Sequence, residues 1–224
     1  MDTILRSVPL FAGLGDGDWA ALSARLATVR VRRGDAVFHE GDAGDCLFVV
    51  LEGKAKISRT AQDGRENLLA VLGPGDLLGE LSLFDSLDRT ATAAAITDLT
   101  LSRLGERDFH SYLDDRPAVA RALLRVLARR LRDTNAAMAD LVFTDVPGRV
   151  AKALLGLADR FGTATADGCL VQHDLTQEEL AQLVGASRET VNKALSDFAN
   201  RGWLRLDGRS VVLLDATRLE RRAR

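Results

Sequence analysis

The sequence predicts an α+β chain of three successive parts: a small antiparallel β-barrel of the jelly-roll kind, a long coiled-coil helix that pairs two copies, and a C-terminal winged helix-turn-helix. Three observations predict it. Short apolar runs bounded by Gly and Asp recur between positions 29 and 104, at the roughly ten-residue spacing of a small antiparallel sheet closed or doubled on itself. An unbroken a/d register, apolar but for Thr134, follows, as a helix-to-helix seam requires. Behind it, two capped helical patterns flank a glycine turn and lead into a hairpin signal. The parts are expected at 1–115, 116–142 and 143–224.

Taken in order, Asp16 to Ala27 carries a helical apolar pattern through Trp19, Leu22 and Leu26. Strands are expected at Val29 to Arg33, Cys46 to Leu51, Lys54 to Arg59, Leu68 to Leu72 and Leu99 to Leu104, the first four with Gly or Asp turn residues after them. A long helix should start near Pro117, whose missing N–H costs nothing in a first turn. Along it Ala120, Leu124, Leu127, Leu131, Thr134, Met138 and Leu141 alternate spacings of four and three, the a/d stripe of a paired helix. Val119, Leu123 and Val126 form a second apolar flank, able to pack on the barrel. The pattern breaks at Phe143-Thr144-Asp145-Val146-Pro147-Gly148, where Asp145 is placed to cap a new helix and where a hinge is expected.

Composition narrows the function. The chain of 224 residues is 46% apolar and 28% charged, with no apolar run near the roughly 18 residues of a membrane span. The N-terminus lacks the basic stretch and apolar core of a secretory signal, so a cytoplasmic protein with no membrane partner is expected. Two cysteines, Cys46 and Cys169, cannot hold an iron–sulfur cluster, which takes about four thiolates. Three scattered histidines offer no metal site, and no Ser/His/Asp set or phosphate loop points to an enzyme. Overall charge is −2, yet Ser187 to Arg224 holds nine basic and five acidic residues, placing positive charge where nucleic-acid contact would need it.

Thr176-Gln177-Glu178-Glu179 has the form of a capping box. Ala181 is small where two helices cross, Gly185 can take the left-handed conformation of the turn, Ser187 caps the second helix and Val191 fills the core between them. Val191, Ala194, Leu195 and Phe198 face inward, which leaves Arg188, Glu189, Asn192 and Lys193 outward near the helix start. That is the part of a recognition helix that reaches base edges. Trp203 to Leu206, Asp207-Gly208 and Ser210 to Leu214 read as a hairpin.

Gly79-Glu80-Leu81-Ser82 and Arg89-Thr90-Ala91 form a second cluster. A buried anionic phosphate needs a guanidinium, a hydroxyl and free backbone N–H groups, and a sugar hydroxyl needs a carboxylate. Spacing alone favours an ordinary Glu–Arg loop ion pair over such a site. Together with Arg129-Arg130-Leu131, Thr134-Asn135, Asp145 to Arg149 and Ser187 to Val191, however, these motifs occur in the order of one family. The chain resembles the CRP/FNR family nearly end to end, in particular the cyclic-AMP receptor branch and its actinobacterial members.

The resemblance implies a homodimeric, cyclic-AMP-responsive transcription regulator that binds double-stranded DNA at TGTGA-like palindromes and contacts RNA polymerase, with the loop from Phe161 to Cys169 as the candidate surface. It implies that Glu80 takes the ribose 2′-hydroxyl, that Gly79, Leu81, Arg89 and Thr90 hold the cyclic phosphate, and that Arg130 lies near both. Thr134 and Asn135 would meet the adenine. Arg188, Glu189 and Lys193 would read bases, with Thr176, Gln177, Ser187, Thr190 and Arg209 also on DNA. No metal is implied. Three positions depart from the usual pattern: Asn135 stands for Ser, Lys193 for Arg, and Ser86-Leu87-Asp88 for a Gly/Pro-rich turn. They keep a second reading open, in which the same fold binds DNA constitutively or answers to another effector.

Overall fold

The computed structural model describes residues 2–11, 14–114 and 116–224. Met1 and Asp115, the ends of the first expected part, lie outside the described residues. In chain order, α1 (Asp2–Ser7) and α2 (Asp16–Ser23) precede β1 (Ala27–Val31), β2 (Ala36–Phe38), β3 (Cys46–Glu52), β4 (Ala55–Thr60), β5 (Glu66–Leu72) and β6 (Leu77–Leu78). Then come α3 (Ser82–Asp85), β7 (Thr92–Ala95), β8 (Leu99–Gly105), α4 (Glu106–Asp114) and the long α5 (Pro117–Phe143). The C-terminal elements are α6 (Val146–Phe161), β9 (Gly162–Thr165), β10 (Gly168–Gln172), α7 (Gln177–Val184), α8 (Arg188–Asn200), β11 (Leu204–Asp207), β12 (Ser210–Leu213) and α9 (Ala216–Arg222). They form two units. One holds the residues up to Arg59 together with Leu69–Arg132, the other Thr60–Leu68 with Asp133–Arg224, so the division falls within α5.

The first unit is a jelly roll of two four-stranded sheets, ordered β1-β8-β3-β6 and β2-β7-β4-β5. Its centre is β3, six consecutive buried residues where a half-exposed strand would alternate. Leu47, Val49 and Leu51 enter one core with Trp19, Phe109, Tyr112, Val119 and Leu123. Cys46, Phe48 and Val50 enter the other with Ala55, Ala93, Ala95, Leu99 and Leu101. Each fully buried Leu or Val here contributes about 1.5–3 kcal/mol. Burial also pushes the Tyr112 phenol up to about 12, while its hydroxyl donates to Leu10 O at 3.1 Å.

Two boundaries differ from expectation for one reason. The helix expected to Ala27 stops at Ser23 because Ala27 already pairs with Arg103 of β8. The same ladder ends at Val31, and Arg33 N turns away to Asp98 Oδ1 at 3.0 Å. Strand pairing, which satisfies two backbone groups per residue, overrides the local helical period. The short strands β2, β6 and β7 carry no sequence signal of their own; β7 is Thr-Ala-Ala-Ala, a strand only because Ala93 and Ala95 fit between the sheets.

As the apolar flank predicted, Val119 and Leu123 of α5 are buried in the first core. The a/d stripe is not: Leu124, Leu131, Met138 and Leu141 are each more than half exposed, Leu131 at 63%. In the second unit Asp145 caps α6, accepting from Gly148 N at 3.0 Å. Val150, Ala151 and Leu154 of α6 are buried, as are Leu180, Val191, Leu195, Phe198, Val211 and Leu219. The sheet β11-β12-β10-β9 is antiparallel, with the Asp207-Gly208 turn where the hairpin was expected.

Candidate functional site

Within the jelly roll, Gly79 has φ +78, and a Cβ there would lie 2.5 Å from Arg89 Nη1. Conformation and space both demand glycine. Arg89 is 4% exposed. Its Nη1 donates to Gly79 O at 2.5 Å and its Nη2 to Cys46 O at 2.7 Å. The guanidinium lies over the Phe38 ring, 4.5 Å from its centroid, and its buried Nε has no partner.

No carboxylate among the described residues pairs with this cation. Asp45, whose charge is felt there, is engaged by Arg103 at 2.9 Å, and its carboxyl is held low first by a hydrogen bond from Cys46. Cys46 supplies no charge either, because burial pushes its thiol up and keeps it protonated. A buried cation with no paired carboxylate costs several kcal/mol, a cost that an anion bound against it would offset.

Glu80, 1% exposed, lies next to Gly79 and accepts from Arg130 Nη1; Arg130 Nη2 donates to Leu77 O at 2.5 Å. Arg89 thus binds the backbone at Gly79 and Arg130 the side chain of the adjacent Glu80. Leu81 and Thr90 are exposed beside them in sequence, and Thr134 and Asn135 are exposed on α5 in the second unit. Two parts of the cradle were not read from the sequence. Cys46 sits in an apolar run like any core residue, and Phe38, 51 positions before Arg89 in the numbering, carries no local signal.

In the second unit the capping box is complete: Thr176 N donates to Glu179 Oε2 at 2.8 Å, and Glu179 N to Thr176 Oγ1 at 3.1 Å. Gly185 takes φ +69, where a Cβ would also meet Leu141 Cδ2 at 2.8 Å. Ser187 Oγ accepts from Thr190 N at 3.2 Å, and Val191 is fully buried. Arg188, Glu189, Thr190 and Lys193 are exposed on the first turns of α8, with Ser187 exposed ahead of them. No ion pair engages Arg188, Glu189 or Lys193 among the described residues. Arg209 is exposed at the tip of the β11–β12 hairpin.

One expected outward residue is corrected. Asn192 is half-buried and donates to Gln177 Oε1 at 3.0 Å, tying the two helices together. Its short side chain lies between the helices, so Gln177 rather than Asn192 occupies the outer position.

Residues 28–116 match the cyclic nucleotide-binding domain, and residues 148–222 the Crp-like helix-turn-helix domain. Over all 224 residues, and the whole of both chains, the sequence is 56% identical to the CRP-like cAMP-activated global transcriptional regulator of Mycobacterium tuberculosis. The chain belongs to the CRP/FNR family. That CRP/FNR membership extends to 38% identity with the cyclic AMP receptor protein of Thermus thermophilus, over 96% of this chain and 97% of that one. Among solved structures, the c-di-GMP-responsive global regulator CLP of Xanthomonas campestris superposes with a TM-score of 0.76 at 28% identity, covering 89% of this chain and 99% of its own. CRP/FNR proteins are transcription regulators, not enzymes. This one is a DNA-binding regulator with a Crp-like helix-turn-helix domain, and among the described residues no helix is long and apolar enough to cross a membrane.

Proposed function

We propose that this CRP/FNR protein is a cytoplasmic, homodimeric regulator whose affinity for TGTGA-like palindromes is raised by cyclic AMP. The observation that carries the effector is Arg89: a buried guanidinium with an unpartnered Nε and no carboxylate paired with it among the described residues, inside a cyclic nucleotide-binding domain. Arg89, Thr90 and the backbone around Gly79 and Leu81 take the cyclic phosphate, Glu80 the ribose 2′-hydroxyl, with Arg130 holding Glu80 in place. Thr134 and Asn135 take the adenine. Arg188, Glu189 and Lys193 read base edges, while Thr176, Gln177, Ser187, Thr190 and Arg209 contact the backbone. Residues 1–115 form the sensor, 116–142 the dimerisation helix and 143–224 the DNA-binding part. RNA polymerase is a further partner, and the β9–β10 hairpin is the surface offered to it.

The exposed a/d stripe of α5 is the dimer seam, buried by the same stripe of a second copy. Leu131→Glu should therefore give a monomer in sedimentation at micromolar concentration, with binding to a palindrome lost while the fold persists. A dimer of unchanged stability would remove the seam from α5.

The direct test is DNA affinity for a TGTGA-N6-TCACA duplex at fixed salt, titrated with cyclic AMP, cyclic GMP and c-di-GMP. A gain with cyclic AMP alone supports the reading. The second reading, another effector or none, is favoured by the CLP regulator, which shares the fold and is described as c-di-GMP-responsive. A gain with that nucleotide, or tight binding indifferent to all three, would establish it.

A further inference from the structure

α9 is rooted on the DNA-reading elements and ends on the joint between α5 and α6. At its root, Leu214 N and Asp215 N both donate to Trp203 O, at 2.9 and 3.0 Å. The Trp203 ring is stacked on Phe198 of α8 at 5.3 Å. Asp215 caps the helix by accepting from Arg218 N at 3.0 Å. Leu219 is fully buried and Ala223 nearly so, which anchors the middle. At the far end Arg222 Nη2 meets Asp145 Oδ2 at 2.5 Å.

Asp145 is the N-cap of α6, and its other oxygen accepts from Gly148 N. One carboxylate therefore starts α6 and receives α9. The Arg222 guanidinium, with the Gly148 hydrogen bond second, holds this carboxyl below the usual range. The two segments also touch through backbone: a Cβ on Gly148 would come within 3.2 Å of Arg222 O. A second fastening reaches the same joint. Arg149 donates from Nη1 to Thr144 O at 2.8 Å, from Nε to Val184 O at 3.0 Å and from Nη2 to Gly185 O at 3.2 Å. Lys152 pairs with Asp140 in the last turn of α5, whose carboxylate also accepts from Thr144 Oγ1 at 3.1 Å. Thr144 and Asp145 are thus held to the helix-turn-helix turn by Arg149, and to the wing by α9.

We infer that α9 is a strap from the wing to the α5–α6 joint, and that Arg222 is a positioning residue for effector-driven DNA binding. With the strap in place, the end of α5 and the recognition helix move as one body, and any change in α5 reaches α8 without slack. Arg222 stands apart from the residues assigned to DNA contact, so its loss should alter coupling and leave the reading face intact. This rests on the effector reading above.

The test compares wild type, Arg222→Ala and Arg222→Lys as full-length dimers. DNA affinity is measured with and without saturating cyclic AMP, and amide hydrogen exchange is followed at Gly148 and Arg149. Arg222→Ala should cut the nucleotide-driven gain about two- to fivefold, the range of a solvent-screened ion pair. DNA should raise nucleotide affinity less by the same factor. Exchange at Gly148 should quicken, and Arg222→Lys should restore most of the gain. An unchanged gain in Arg222→Ala overturns the inference, as does an equal loss of DNA affinity with and without nucleotide. If the wild type shows no nucleotide gain, the effector reading fails by itself. The strap then stands on faster exchange at Gly148 with weakened DNA binding in Arg222→Ala, and falls if either is absent.

Discussion

Replacing Arg89 by leucine should abolish nucleotide-dependent DNA binding, with cyclic AMP affinity falling at least about 100-fold. The magnitude follows from what the guanidinium supplies: two charge-assisted hydrogen bonds to a phosphate are each worth about 1.5–3 kcal/mol. The electrostatic setting sharpens this, since Arg89 has no carboxylate partner to release before it meets an anion. Leucine has a second effect. It strips the donors from Gly79 O and Cys46 O, and a buried acceptor left unpaired costs about 1–3 kcal/mol. Loss of a buried cation opposes that cost, because desolvation of Arg89 disappears with it. Arg89→Gln separates the effects by keeping an amide donor for one carbonyl while removing the charge. Calorimetric titration with cyclic AMP, beside thermal unfolding of each variant, makes the comparison. Both variants should lose the ligand, and glutamine should melt higher than leucine. Wild-type nucleotide affinity in either variant would remove Arg89 from the site.

The contrast between Arg89 and Thr176 explains how much of the molecule could be read in advance. Thr176 and Glu179 are three residues apart, and their capping box depends on nothing outside that turn. Gly185, Ser187 and Asp145 act over similar distances, so each could be assigned from neighbours in sequence. The a/d stripe of α5 was legible for the same reason: a helix converts spacing directly into a face. Arg89 is different. Its charge and the glycine before Glu80 could be seen, but its partners are Cys46 O and the Phe38 ring, joined only when the two sheets close. Asn192 shows the same limit at shorter range. Spacing put it outward on α8, and its pairing with Gln177 depends on how closely α7 crosses. The strap was the least legible feature, because the Arg222–Asp145 pair spans 77 positions and neither residue is unusual where it stands.

At the DNA interface, Arg188→Ala should cost about 1–3 kcal/mol on a specific palindrome, a loss of roughly 5- to 150-fold. Arg188 opens α8, immediately after the Ser187 cap, and is exposed with no ion pair holding it back among the described residues. Its planar fork can donate two bonds to guanine O6 and N7, a geometry that an alanine leaves wholly unmet. The fold should not suffer, since Val191, Ala194, Leu195 and Phe198 on the opposite face carry the packing of α8. Two measurements distinguish base reading from simple charge loss. Affinity for random-sequence duplex should change far less than affinity for the palindrome. Discrimination against a substituted guanine should also collapse in the variant, because the side chain that sensed it is gone. Arg188→Lys keeps the charge without the fork, so it should recover non-specific affinity while leaving that discrimination weak. A uniform loss on every sequence, with the salt slope reduced by about one, would instead put Arg188 on a phosphate. Base reading would then pass to Glu189 and Lys193, the other exposed side chains at the start of the helix.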